Sequence, residues 1–114
     1  MMDLKSQGYE AVAEKTVENL VIKKGRIDLA TITADGEMKR GTLLFDGGNG
    51  KLTATATAGK ARAILAENVT GTGDVNAEVF YGGIFYANGI IGTITAEDVD
   101  ALRARDIYIE TPAV

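Results

Sequence analysis

The chain of 114 residues has no cysteine, no histidine and no tryptophan, and it contains a single proline and a single serine, Ser6. Without cysteine, neither a disulfide framework nor a thiolate metal site can form. Ser6 has no histidine to activate it, so Ser–His and Cys–His catalysis and imidazole or thiolate zinc sites are excluded. Only carboxylates remain for catalysis, and we therefore predict a protein that is not an enzyme and holds no cofactor and no metal.

The charge and the hydrophobic pattern restrict the partners. The formal net charge is −4 and the isoelectric point is about 4.8. We expect no nucleic-acid partner, because affinity for phosphate backbones comes from clustered lysine and arginine. No apolar run approaches the ~18 residues that span a bilayer, and the N-terminus lacks the apolar segment of a signal peptide. We therefore expect a soluble protein with no membrane partner.

The length predicts one domain, because a second core would leave neither half with enough interior. Residues 1–18 mix charged and small side chains without a helical or strand period, and they predict a flexible N-terminal arm. Residues 19–114 are predicted to form the domain. Two interpretations of the arm remain open: a frayed terminus, or a segment that becomes ordered on a partner surface.

Short alternating runs separated by turn residues predict a mainly β domain. Asp35 and Gly36 are typical of a tight hairpin turn, and the small polar residues at 70–74 predict another turn. A strand is predicted over residues 51–57, with Ala54 and Ala56 on an inner face against another layer. The expected fold is a small α+β domain, a β-sandwich or barrel-like arrangement of short hairpins with one C-terminal helix.

That helix is predicted over about residues 96–105. Thr95 can cap it, with Asp98 in the capping-box position, and Val99 and Leu102 share one face. Asp98 and Asp100 could instead hold a hard cation. We favour capping, because successive helical residues point apart and the calcium-loop spacing of oxygen ligands does not occur.

Four of the seven aromatic residues lie close together in the chain: Phe80, Tyr81, Phe85 and Tyr86. Neighbours on a strand face opposite sides, so one residue of each pair can fill the core while the other faces outward. An outward tyrosine is either an ordinary amphipathic surface residue or part of a subunit boundary, where aromatic residues are over-represented. Tyr81 and Tyr86 are our candidates for the boundary.

Three segments resemble the lambda-type bacteriophage head decoration proteins, a family of capsid-stabilising proteins. Residues 61–91 contain ARAILAENV, a turn of small polar residues, a strand ending in VFYGG and an aromatic third strand. Residues 39–44 (KRGTLL) with 50–52 (GKL) resemble a strand pair of the family. Residues 95–109 (TAEDVDALRARDIYI) resemble the helix and final strand of its prophage members. The similarity covers about residues 19–109.

The resemblance implies a protein that binds the outside of the expanded phage head as a homotrimer at threefold and quasi-threefold sites. Its partners would be the phage major capsid protein and its own further copies, and its location the outer surface of the virion after synthesis in the host bacterial cytoplasm. It would stabilise the head against the pressure of packaged DNA, without turnover. The arm would dock on the capsid, and its candidate contact residues are Leu4, Tyr9, Val12 and Val17. Tyr81 and Tyr86 would then lie at the trimer interface.

A second class of function stays open from the sequence. A monomeric β-barrel-like module could bind a ligand or peptide on the aromatic meander and show no affinity for a shell. An enzyme that uses carboxylates alone is the third possibility, but no two acids are placed convincingly together.

Overall fold

The computed structural model describes residues 19–110, which form eight strands, a 3₁₀ turn (Ala87–Gly89) and one α-helix. The helix, α1 (Ala96–Arg103), ends two residues before its predicted end. This mainly β fold with one C-terminal helix confirms the predicted fold class. The strands are β1 (Val21–Lys24), β2 (Ile27–Met38), β3 (Leu43–Asp46), β4 (Leu52–Thr53), β5 (Ala61–Leu65), β6 (Val69–Phe80), β7 (Gly83–Tyr86) and β8 (Ile107–Glu110).

Five strands close into a barrel in the order β2-β4-β3-β5-β6. Its longest pairing joins β2 and β6, which run antiparallel in register from Ile27 opposite Phe80 to Met38 opposite Val69. The β2–β4 pairing is parallel, and the remaining neighbours are antiparallel. Closure of the barrel leaves each of its five strands with a neighbour on both sides.

The other three strands form a small sheet in the order β8-β7-β1. Its central strand β7 is parallel to β8 and antiparallel to β1. Helix α1 packs on β5 of the barrel and on β8 of the small sheet. The helix therefore connects the two sheets.

Strand alternation divides the interior into two hydrophobic cores on the two sides of the barrel wall. On β3, Leu44 belongs to the core inside the barrel, whereas Leu43 and Phe45 belong to the core between the barrel, the small sheet and α1. On β5, Leu65 faces inward and Ile64 outward in the same way. Because side chains alternate with a period of two, β3 and β5 are buried on both faces and contain few polar residues.

The outer core contains the buried half of the aromatic meander. Phe80 and Phe85 are both buried, and their ring centroids lie 5.0 Å apart with a tilt of 57°. Tyr81 and Tyr86, their sequence neighbours, are only half-buried. The prediction that one residue of each aromatic pair fills the core is confirmed.

Two predicted turns are wrong, because both segments lie inside long strands. Asp35 and Gly36 are part of β2, and residues 70–74 are part of β6. Gly36 (φ 98°) lies opposite Gly71 in the ladder between the two strands. Strand glycines commonly mark a sharp bend in a barrel rather than a chain reversal. The expected pair of short hairpins is replaced by one long two-stranded ribbon.

The strand predicted over residues 51–57 is shorter than expected. Only Leu52 and Thr53 pair with their neighbours, and Ala54 and Ala56 are exposed instead of facing another layer. Leu52 is buried in the barrel core, whereas the alanines after it offer little apolar area to bury. The pairing therefore ends where the large apolar side chains end.

The helix start follows the predicted capping box. The N–H of Asp98 donates to the Thr95 hydroxyl (3.1 Å), and the N–H of Thr95 donates to the Asp98 carboxylate (3.0 Å). Asp98 is almost fully buried in this role, as is Leu102 one turn later, whereas Val99 is only half-buried. Within residues 19–110, no helix has the length and apolar character needed to cross a membrane.

Candidate functional site

The predicted site residues lie on separate parts of the molecule. The arm residues Leu4, Tyr9, Val12 and Val17 lie outside the described residues. Tyr86 lies on the small sheet, and the ring of Tyr81 contacts the barrel core and two arginines.

Tyr86 belongs to the face of the small sheet that points away from the core. In the register of β7 with β8, Tyr86 lies opposite Glu110 and Ile84 lies opposite Tyr108, whereas Phe85 between them is buried. Tyr108 is 41% exposed, and Ile84 and Tyr86 are half-buried. We call Ile84, Tyr86 and Tyr108 the tyrosine face. It places two phenol rings and an aliphatic side chain on one exposed surface.

Both outer strands of the small sheet have a free edge within the described residues. Among the strands of residues 19–110, β1 and β8 each pair with β7 alone. Ile22, in the irregular part of β1, is 42% exposed. Unpaired backbone groups on such an edge can accept a strand from another chain. The tyrosine face is therefore bordered by two possible pairing edges.

Tyr81 directly follows β6 and lies at one end of the barrel. Its ring packs against the barrel core. The guanidinium carbons of Arg26 and Arg62 each lie 5.3 Å from its ring centroid, within cation–π range. Two cations thus contact the ring of Tyr81.

Arg62 lies at an irregularity in the pairing of β5 with β3. Leu44 of β3 pairs with Ala63, and Phe45 pairs with Ala61, so Arg62 is an extra residue without a partner in register. Such a bulge breaks the strict alternation of a strand and can re-aim a side chain, often at a barrel rim. Here it accompanies the contact of Arg62 with the aromatic ring at the barrel end.

Two cavities of about 440 and 340 Å³ adjoin at this barrel end. Both are lined by Arg62, Tyr81 and Arg105. The other charged side chains that line one or the other are Arg26, Asp106, Lys51 and Asp46. We call Arg26, Lys51, Arg62, Tyr81 and Arg105 the barrel mouth. Four cations and two carboxylates line it, in a chain whose net charge is −4.

Local contacts change the ionisation of Tyr81 at the mouth and of Asp28, which pairs with Arg26. The N–H of Leu29 donates to Asp28 (2.8 Å), and Arg26 forms an ion pair with the same carboxylate (3.3 Å). The backbone hydrogen bond first, and then Arg26, lower the pKa of Asp28 below its ordinary value. Partial burial, and then the charge of Asp28, raise the pKa of Tyr81 above 10.0, with Arg26 acting in the opposite direction.

The remaining cations of the mouth differ in their partners. Lys51 forms a 2.7 Å ion pair with Asp74. The side chains of Arg62 and Arg105 form no ion pair with any residue between 19 and 110. The carboxylate of Asp46 accepts the N–H of Gly48 in its own loop (2.9 Å). Arg62 and Arg105 are therefore the cations available to a ligand.

The described residues at these surfaces offer aromatic rings, aliphatic side chains and charged groups that could contact a partner or ligand. Across residues 19–110, no group of three His, Cys, Asp or Glu side chains is arranged to hold a metal ion. No protein-family model matches the chain, and no curated protein matches it. The tyrosine face presents mainly apolar and aromatic groups, and the barrel mouth presents cations beside an aromatic ring.

Sequence reasoning missed the barrel mouth because its arginines are far apart in the chain. Arg26, Arg62 and Arg105 come from a loop, a strand and the turn after α1, and no charge run marks them. One local signal was present: Arg62 interrupts the apolar run of β5. Only the barrel closure and the helix position bring the three side chains to one place.

Proposed function

We propose that this chain is a bacteriophage head decoration protein. It binds the outside of the expanded head as a homotrimer at threefold and quasi-threefold sites and stabilises the shell against internal DNA pressure. The proposal rests on the resemblance over residues 19–109, and the mainly β domain with one C-terminal helix agrees with that resemblance. The partners are the major capsid protein and further copies of this chain, on the outer surface of the virion.

The tyrosine face is the structural observation that supports a trimer. Aromatic residues are enriched at protein interfaces, and Tyr86 and Tyr108 lie together on an exposed sheet face. A threefold axis joins two different surfaces of neighbouring subunits. The start of β2 supplies a second apolar surface, because Leu29 is 66% and Ile27 37% exposed.

The proposed function is mechanical and needs neither turnover nor a cofactor. Three subunits around one axis present three copies of each capsid-binding segment. Once one copy is bound, the others bind at high effective concentration, so contacts that are weak individually add to tight attachment. The trimer thereby bridges neighbouring capsid subunits and opposes their separation.

Co-sedimentation with undecorated heads of the source phage tests the proposal, with unexpanded heads as the control. We expect saturable binding to expanded heads in multiples of three per lattice site. Replacing Leu4, Tyr9, Val12 and Val17 together by serine should abolish binding if the arm makes the capsid contact. Absence of wild-type binding to either form of the head would overturn the decoration function.

The trimer interface is tested in the same assay by Tyr86→Ala, with Tyr86→Phe as the matched control. Truncation of a central interface tyrosine commonly costs more than about tenfold in affinity, whereas the phenylalanine keeps the ring contacts. A Tyr86→Ala protein that decorates heads with wild-type affinity would remove this residue from the interface.

A monomeric β-barrel-like binding module is the second candidate. The barrel mouth favours it, because two adjoining cavities there combine an aromatic ring with arginines that lack ion-pair partners between residues 19 and 110. This function predicts a monomeric mass in solution and no affinity for heads. Sedimentation of the protein with and without heads separates the two candidates.

A further inference from the structure

We propose that the barrel mouth binds a short acidic peptide segment through at least two of its carboxylates. Arg62 and Arg105 are the principal recognition residues, and Tyr81 supports the first of them. The proposal does not depend on the decoration function, because every residue of the mouth belongs to a single chain.

The distribution of ion pairs is the first reason. Of the four cations at the mouth, Arg26 and Lys51 already contact the carboxylates of Asp28 and Asp74. Arg62 and Arg105 have no such partner among residues 19–110, and both line both cavities. A ligand in either cavity therefore meets the same two guanidinium groups. An added anion would therefore form new ion pairs with these two groups, whereas Arg26 and Lys51 already have carboxylate partners.

The fixed position of Arg62 is the second reason. The bulge in β5 and the cation–π contact with Tyr81 place the side chain of Arg62, a half-buried residue, at the cavity wall in the absence of a ligand. A planar guanidinium matches a carboxylate with two parallel hydrogen bonds. A side chain that is already ordered loses less conformational entropy on binding, which favours affinity.

A backbone hydrogen bond also orders the main chain at Arg105. Its N–H donates to the carbonyl of Leu102 (2.8 Å) in the turn that follows α1. The next residue, Asp106, has a left-handed conformation (φ 65°), which reverses the chain into β8. Arg105 therefore approaches the mouth from the helix while Arg62 approaches from the barrel wall, and a ligand between them contacts both parts of the fold.

The loop beside the second cavity disfavours a phosphate group. Phosphate sites commonly use several free backbone N–H groups in a concave loop. Here the N–H of Gly47 donates to the carbonyl of Lys51, and the N–H of Lys51 donates to the carbonyl of Gly48. The N–H of Gly48 donates to the Asp46 carboxylate. The loop therefore has few amides left for a phosphate, and recognition depends on the arginine side chains.

The charge balance favours a ligand with few charges over a nucleic acid. A nucleic acid presents a long row of phosphates and requires an extended track of cations. The mouth has four cations, with Asp46 and Asp106 at its walls, in a chain of net charge −4. In an extended peptide, alternate side chains lie on the same side about 7 Å apart. A Glu-x-Glu segment therefore presents two carboxylates on one side, and it is the simplest probe for two adjoining cavities that share Arg62 and Arg105.

Titration of the full-length protein with a defined peptide tests the proposal. The probe is acetyl-Gly-Glu-Gly-Glu-Gly-amide, and the control is the same peptide with glutamine in place of glutamate. Binding is followed by calorimetry and by NMR of the arginine side-chain Nε–H groups, of which the chain has five. We expect the signals of Arg62 and Arg105 to shift with the glutamate peptide, while that of Arg103 stays unchanged.

Substitutions locate the site. Arg62→Gln and Arg105→Gln should each weaken peptide binding by about tenfold or more, since each removes a charge-assisted hydrogen-bonding group. Arg103→Gln, on the exposed side of α1, should stay within about twofold of wild type. Should Arg62→Gln not fold, Arg62→Lys replaces it, because it keeps the charge, loses the fork and is also expected to weaken binding.

Three outcomes would overturn the proposal. The glutamate peptide binds no better than the glutamine peptide; the substitutions at Arg62 and Arg105 leave its affinity unchanged; or inorganic phosphate or a thymidine decamer displaces it and binds more tightly. The last result would assign the mouth to a phosphate ligand. None of these measurements uses phage heads, so failure here is distinct from failure of the decoration function.

Discussion

Replacing Leu102 by alanine tests how α1 is attached to the rest of the fold. Leu102 is fully buried in the outer core, where the helix packs on β5 and β8. It is the large apolar side chain of α1 in that core. Its truncation therefore weakens the contact that joins the small sheet to the barrel.

The expected loss in the free energy of unfolding is about 3 kcal/mol. Leucine exceeds alanine by three carbon atoms, which at about 0.8 kcal/mol per buried methylene amounts to about 2.4 kcal/mol. The cavity left behind raises such losses to about 2.7 to 5.0 kcal/mol at buried sites, and the better helix propensity of alanine returns a few tenths. Domains of this size unfold at a cost of about 5 to 15 kcal/mol, so we expect the variant to remain folded.

Urea unfolding followed by circular dichroism measures this loss. With an m value of about 1.5 kcal/mol/M, the midpoint should fall by about 2 M. The control is Arg103→Ala on the same helix, where an exposed side chain makes a long 3.9 Å contact with Asp100 and a change within about 0.5 kcal/mol is expected. A loss below about 1 kcal/mol for Leu102→Ala, at unchanged m, would refute the burial of the helix in the outer core.

Three further predictions concern the helix cap, the small sheet and the barrel mouth. Thr95→Ala should cost about 1 kcal/mol in urea unfolding through loss of the capping box, whereas Thr93→Ala, just outside the helix, should change little. Gly83→Ala should cost more than about 2 kcal/mol by the same measure, because φ is 130° and a Cβ there would lie 2.6 Å from the carbonyl oxygen of Lys23. The folded-state pKa of Tyr81 is raised above the ordinary value of 10.0. The contribution of this shift to the free energy of unfolding is therefore complete below about pH 10, and it is lost as the pH rises through the folded-state pKa. Tyr81→Phe should remove this loss.

Each of these predictions has a result that contradicts it. Equal effects of the two threonine substitutions would exclude a capping contribution. A Gly83→Ala protein as stable as wild type would show that the close approach of β1 and β7 can relax without cost. For Tyr81, unfolding curves of wild type and Tyr81→Phe are compared from about pH 9 to 11, and superimposable pH profiles would exclude the perturbed ionisation.

The features predicted correctly from the sequence are those decided by near neighbours in the chain. The capping box depends on Thr95 and Asp98, three residues apart, and the structure has both of its hydrogen bonds. The burial of Phe80 and Phe85 beside more exposed tyrosines follows from strand alternation. These relations hold whatever the rest of the chain does, because a few backbone dihedral angles determine them.

The two turn predictions were wrong because a distant partner overrode a local preference. Asp35 and Gly36 are good turn residues, as are the small polar residues at 70–74, but the two segments pair with each other across the long ribbon of β2 and β6. Once twelve consecutive residues of each strand are paired, extended backbone at these positions gains ladder hydrogen bonds that a turn would lose. No local pattern contains that information.

By itself, the sequence determined the fold class, the capped C-terminal helix and the aromatic core, because periodicity and capping act over a few residues. Only the tertiary structure decided that the barrel closes, that its wall has a core on each side, and that Arg26, Arg62 and Arg105 meet at one end of it. The physical reason is that side chains far apart in the chain come together only when strand pairing and helix packing fix the path between them.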